Sequence, residues 1–271
     1  MRELERELST DAAPAAEGPT IPPIAVIGVG RVGSSFAAAA NRVGITTRLA
    51  GRDGLVDASR RSEVALLCVP DTEIVAACEV AAREVPPLRY VGHTSGATTL
   101  RALDPARSRG AEVFSLHPLQ TIPDADTDLA GAPSAVAGSS DSAVALARSL
   151  SVRVGMRPFG VPEEHRAAYH AAAAMSSNLL VALEESAAEL LERAGVDSPS
   201  RELLAPLVLR TAANWAARGP EALTGPIARG DSETVDRHLE ALQEVAPELV
   251  PVYESLTERT RAVSGPAEAV R

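Results

Sequence analysis

Ile21-Pro-Pro-Ile-Ala-Val-Ile-Gly-Val-Gly-Arg-Val-Gly33 runs from a short apolar segment straight into three spaced glycines. Ile24 to Ile27 reads as a strand, Gly28-x-Gly30-x-x-Gly33 as a turn, and the Ala-rich segment 34–42 as the helix that follows. That order suits a dinucleotide. Gly28 permits the tight turn, Gly30 lets a pyrophosphate approach the backbone, and Gly33 lets the helix pack close to the strand. Arg31 and Val32 fall inside the same loop. The phosphates then lie at a helix N-terminus, where free N–H groups and the helix dipole favour negative charge. The alternative is a glycine turn that binds nothing.

The next strand, Ile45-Thr-Thr-Arg-Leu-Ala-Gly51, ends in Gly51-Arg52-Asp53. An Asp or Glu about 20 residues after the glycines takes the ribose 2′-OH of NAD, whereas a nearby Arg accommodates the 2′-phosphate of NADP. The strand tip here is the small Ala50 or Gly51, Arg52 follows, and Asp53 stands one step too far along. NADP(H) is therefore expected over NAD(H), with Arg31 as a second cation. Arg52 as a merely solvated loop residue is the alternative.

Further along, apolar strands alternate with helical segments. Val64 to Pro70 reads as a buried strand and Ile74 to Glu84 as a helix. Tyr90 to Gly92 leads into His93-Thr-Ser-Gly96, and Glu112 to Leu116 into His117-Pro-Leu-Gln-Thr121. Ser134 to Ala137, a helix at Asp141 to Leu150 and a last strand at Arg153 to Met156 complete the series. Such alternation defines an α/β fold with a Rossmann-type, doubly wound parallel sheet. Ligands sit beyond the carboxyl ends of its strands, which adds Val69, Pro70 and Thr94 to the expected cofactor contacts.

From Pro162 no strand pattern remains. Glu163 to Ala194 reads as one long helix, followed by helices at Arg201 to Arg218, Ser232 to Glu244 and Pro247 to Val263. The expected organisation is a disordered leader over 1–20, a Rossmann domain over 21–158, and an all-helical domain for substrate and dimerisation over 159–271. The charged, Ala-, Glu- and Pro-rich leader lacks the apolar core of a signal peptide.

Composition removes several classes of function. The 271 residues carry a net charge of −10, against a general nucleic-acid or anionic-membrane binder. No apolar run approaches the roughly 20 residues of a membrane span. Two cysteines, Cys68 and Cys78, lack metal-site spacing and fit a reducing cytoplasm. The His residues are scattered too widely for a metal site. There is no lysine, and all 26 basic residues are arginine, so chemistry that needs a Lys acid, base or Schiff base is excluded.

Three later motifs are Ser115-Leu-His-Pro-Leu-Gln-Thr121, Tyr169-His170 through Asn178, and Thr224-Gly-Pro-Ile-Ala-Arg-Gly-Asp231. With the glycine turn they resemble the Rossmann-like proteins that carry the domain of unknown function 2520. The plan is also similar to that of the wider superfamily of 6-phosphogluconate, ketopantoate, pyrroline-5-carboxylate and prephenate dehydrogenases or reductases. The resemblance implies a homodimer formed through the helical half. Many of these relatives carry Lys-x-x-x-Asn on the central helix. Asn178 matches the Asn, but Ala174 stands where the Lys would be. Prephenate dehydrogenases resemble the chain differently, with a Ser after one strand and His-Pro after the next, here Ser95 and His117-Pro118.

His117 is the first candidate for general acid/base work, since an imidazole titrates near working pH. His170 is the second, and Asn178, eight residues on, is expected on the same helical face. Arg229 is placed to clamp a substrate carboxylate, and Asp231 to contact substrate or to cap the next helix. An Arg229–Asp231 ion pair is the alternative.

Three readings follow. The first is an NADPH-dependent reductase of a small carbonyl acid, ketopantoate-reductase-like, with a His proton donor. The second is an imine reductase resembling pyrroline-5-carboxylate reductase. The third is an NADP-binding sensor or assembly protein without turnover.

Overall fold

The computed structural model describes residues 21–84 and 88–264. The leader expected over 1–20 lies outside the described residues.

Strands β1 (Ile24–Ile27), β2 (Thr47–Ala50), β3 (Val64–Leu67), β4 (Tyr90–His93), β5 (Glu112–Pro118), β6 (Pro133–Gly138) and β7 (Arg157–Gly160) form one sheet in the order β2-β1-β3-β4-β5-β6-β7. Helices α1 (Arg31–Arg42), α2 (Leu55–Arg60), α3 (Ile74–Glu84), α4 (Asp104–Arg107) and α5 (Asp141–Arg153) cover its faces. The central strands are buried on both sides, which explains their unbroken apolar runs. Ile24, Val26, Leu66 and Phe114 pack in one core with Phe36 of α1 and Leu150 of α5. Ala25, Ile27, Leu67 and Val113 pack in the other with Leu55 of α2, Ile74 and Cys78 of α3, and Leu103. Fully burying a side chain the size of Phe36 or Phe114 stabilises the fold by about 2–3 kcal/mol.

The sheet departs from the expected parallel arrangement at one edge. β5 pairs with β6 antiparallel, so β6 and β7 run against β1–β5. A parallel return needs a crossover, usually helical. Residues 119–132 contain no helix, so the chain simply turns back. The last strand also lies later than expected. Arg153 closes α5, Val154 and Gly155 form the turn, and β7 begins at Arg157.

The expected long helix over Glu163 to Ala194 is two helices, α6 (Arg166–Met175) and α7 (Asn178–Arg193). The break falls at Ser176-Ser177, where Ser177 has φ −134° and ψ −81°. Serine side chains compete with helical backbone bonds, and Ser pairs are a usual cause of kinks. The described residues divide into two compact units, the first running to Ala174 and the second starting at Met175. The second holds α7, α8 (Ser200–Arg218), α9 (Pro226–Arg229), α10 (Ser232–Val245) and α11 (Val250–Ser264). Among the described residues no helix is long and apolar enough to cross a membrane.

Candidate functional site

The strand order reverses direction at β1/β3, and there the carboxyl ends of neighbouring strands splay apart to leave a crevice. Gly28 turns the chain out of β1 at φ +122°, and a Cβ there would lie 2.3 Å from the Cys68 carbonyl oxygen. A Cβ on Gly33 would lie 2.0 Å from the Gly28 carbonyl oxygen. Gly30 is the opposite case, with nothing within 4 Å of an added Cβ. Two of the three glycines are therefore imposed by packing, while the third faces open space. No side chain caps α1 and no acidic residue occupies its first turn. Its N-terminus is free to receive an anion.

Two cavities meet over this turn. One, of about 570 Å³, is lined by Gly28, Gly51, Arg52, Glu73, Ala77 and Val80 among others. The second, of about 500 Å³, runs from Gly30, Arg31 and Val32 past Asp71, Thr94 and Ser95 to Gly96, His117 and His170. Val69 and Pro70 line both. The cofactor residues expected from sequence thus lie along one continuous cleft, except Gly33, which sits beneath the turn. Cys68 lines the cleft too, but burial pushes its thiol up to about 12, so it stays protonated and inert.

At the far end the side chains converge. His117 Nδ1 lies 2.7 Å from Tyr169 Oη, and the His117 and His170 rings meet edge-on at 5.9 Å. A Cβ on Gly96 would fall 2.5 Å from His170 Cδ2 and 2.9 Å from His117 Nε2, so both imidazoles close over bare backbone. Burial, reinforced by His170 and then Arg166, lowers His117 to about 4. Burial raises Tyr169 to about 12. At neutral pH the pair is an uncharged imidazole and an uncharged phenol.

Arg166 organises this end. Its guanidinium is fully buried, donating to Ser115 Oγ at 2.8 Å and to the Ser95 carbonyl oxygen at 2.6 Å, with Glu163 at 3.4 Å. One side chain thereby ties together β5, the loop after β4, and α6. Ser115 lies two residues before His117 on β5, so both project from the same face of the strand. Arg166, Tyr169 and His170 share one face of α6 through their i, i+3, i+4 spacing. His93, fully buried nearby, is lowered to about 4 by burial first and by Arg166 second, and neither ring nitrogen makes a well-formed hydrogen bond.

Sequence reasoning gave no role to Arg166, Tyr169, Asp71 or Glu73. The helical spacing of Arg166, Tyr169 and His170 on an otherwise Ala-rich segment was the available signal. The remaining expectations fall differently. Ser95 Oγ donates to Asp71 Oδ2 at 2.8 Å and accepts from the Thr98 N–H at 2.9 Å, so its proton is already engaged. Asn178 is the first residue of α7, in a separate helix from His170. Arg229 and Asp231 lie in the helical unit. Asp231 caps α10, its carboxylate accepting from the Thr234 N–H and Oγ1, and these bonds hold it below the usual carboxylate range. Among the described residues no group of three or more His, Cys, Asp or Glu is placed to hold a metal.

Fold and cleft define a Rossmann-type α/β protein whose ligand crevice opens at the β1/β3 switch point, followed by a helical unit. Residues 46–118 match the Rossmann-like domain, and residues 132–260 match the domain of unknown function DUF2520. The chain belongs to the proteins that join these two domains. No curated protein matches the sequence. Among solved structures it is similar to BF3122 from Bacteroides fragilis, described as a candidate NADP oxidoreductase, at 20% identity and TM-score 0.74 over 89% of this chain and 98% of that one. It is similar to protein TM1727 from Thermotoga maritima at 19% identity and TM-score 0.70, again over 89% and 98%. A reductive aminase from Aspergillus terreus, solved with NADPH and ethyl-5-oxohexanoate, matches at 18% identity and TM-score 0.65 over 90% and 98%. At these identities the likeness is one of fold.

Proposed function

We propose that the chain is an NAD(P)-dependent oxidoreductase, with NADP(H) the favoured cofactor, that reduces a small carbonyl acid. The observation that carries this reading is the continuity of the cleft from the open Gly30 backbone to the His117–Tyr169–His170 cluster. The open Gly30 and uncapped α1 suit a pyrophosphate. Arg52 lines the adenosine end, and His117 and His170 line the end where chemistry would occur. The nicotinamide would supply a hydride to the substrate carbon. The substrate oxygen then needs a proton, which His117 would deliver from its imidazolium form, more populated as the pH falls, while Tyr169 fixes its ring. BF3122 and the NADPH-bound reductive aminase, built on the same fold, support this class of activity.

One observation favours a second reading, reduction of a cyclic or acyclic imine. A neutral His117 is a weak acid, and a protonated iminium brings its own proton. The chain also lacks the Lys that hydroxyacid chemistry uses in many similar proteins. Homodimerisation through the helical unit is part of the proposal, supported by the exposed Leu179, Val181, Leu207, Leu209 and Trp215.

The test is NADPH oxidation by the wild type and His117→Ala against 2-keto acids and cyclic imines. Carbonyl reduction predicts a loss of about 10²–10⁴ in turnover for the variant. Imine reduction predicts little loss. Binding of neither NADPH nor NADH to the wild type overturns the whole reading.

A further inference from the structure

The adenosine end of the cleft holds a pair of opposite charges that the glycine turn does not require. Arg52 Nη2 lies 3.1 Å from Glu73 Oε2, and both residues line the cavity beside Gly28 and Gly30. Arg52 belongs to the turn after β2 and Glu73 to the turn that opens α3 after β3. β1 lies between those two strands in the sheet, so the pair spans the carboxyl end of β1. The carboxylate lining this cavity is thus Glu73, from the neighbouring strand end, and not Asp53.

We propose that Glu73 limits recognition of a ribose 2′-phosphate by holding Arg52 as its counter-ion, a specificity role that rests on the nucleotide reading above. A ribose 2′-OH is neutral and can donate to the Glu73 carboxylate, leaving the ion pair in place. A 2′-phosphate carries up to two negative charges and recruits the Arg52 guanidinium. Glu73 then stays close by, no longer neutralised, and repels it. The pair is solvent-exposed, at 83% for Arg52 and 44% for Glu73, so the repulsion is screened. A charge at this range in high dielectric is worth roughly a fivefold change in an equilibrium constant. The same exposure means that removing Glu73 leaves the fold intact.

The experiment is calorimetric titration of the wild type and Glu73→Gln with 2′,5′-ADP and with 5′-ADP, at low and high salt. Glu73→Gln should tighten 2′,5′-ADP by roughly fivefold and leave 5′-ADP no tighter, since its 2′-OH exchanges a charged acceptor for a neutral one, with the gap narrowing at high salt. Unchanged affinity for both nucleotides overturns the role of Glu73 alone. Equal tightening of both also overturns it, because the carboxylate would then oppose phosphate in general. Failure of either protein to bind either nucleotide overturns the nucleotide reading together with the proposal.

Discussion

At its glycine end the cleft is made of backbone. Gly28, Gly30 and Gly33 shape it, the charges beside it are solvated, and local sequence supplies almost all of it. At its histidine end it is made of side chains from β5, the loop after β4 and α6, gathered around a guanidinium with no exposure to water. The first end leaves room around bare backbone. The second is filled with side chains, and burial, reinforced by the positive charge of Arg166, holds two imidazoles neutral. Damage to the first should therefore separate binding from stability, whereas damage to the second should not.

The sharpest test sets two glycines of one turn against each other. Gly28→Ala puts a Cβ against the Cys68 carbonyl at a φ that L-residues rarely adopt, and should destabilise the protein by about 3 kcal/mol or more. Gly30→Ala sits at φ −73° and ψ −177° with open space around it. Its melting temperature should stay within about 2 °C of wild type, while nucleotide affinity falls at least about tenfold because the methyl fills the approach to the backbone. Thermal melts and titrations of both variants read this directly. Equal destabilisation by the two would mean that the turn is not divided between packing and binding.

At the histidine end, Arg166→Met should cost about 3 kcal/mol, because Ser115 Oγ and the Ser95 carbonyl lose a charged donor inside the protein. Arg166→Lys should recover part of that, keeping the charge but losing the fork that reaches two partners. Denaturant midpoints measure both. An unchanged midpoint for the Met variant would show that hydrophobic packing, and not the buried charge, holds this end together.

The same contrast explains what could be read from the chain. The glycine turn, β1, α3 and the strand-end positions were legible because each depends on local chemistry: period, glycine spacing, apolar runs. The reversal of β6 and β7 hung on the lack of a helix between 119 and 132. The helix break hung on two serines inside an otherwise continuous helical composition. Arg166 escaped because nothing local marks a guanidinium as buried. Its partners Ser95 and Ser115 are 71 and 51 residues away. Glu73 escaped for the same reason, 21 residues from Arg52 and on another strand end.

The smallest of these effects is a pH dependence. His93 and His117 both titrate near 4 in the folded protein, against 6.5 when unfolded. Between those values the unfolded chain binds more protons than the folded one, so stability is full above about pH 6.5 and falls as the pH drops toward 4. Between pH 7 and about pH 5.5 the fully buried His93 should account for a loss of roughly 1 kcal/mol, and the half-buried His117 for less. Carboxylates elsewhere add their own slope at lower pH, so the informative quantity is a difference between proteins. His93→Leu removes a titrating group whose ring nitrogens lack well-formed hydrogen bonds, and it fills the site with apolar volume. Its denaturant midpoint should match or exceed the wild type at pH 7 and should fall less steeply on acidification. A slope equal to the wild type's would mean that His93 titrates as it does in water, and that the histidine end is wetter than its packing indicates.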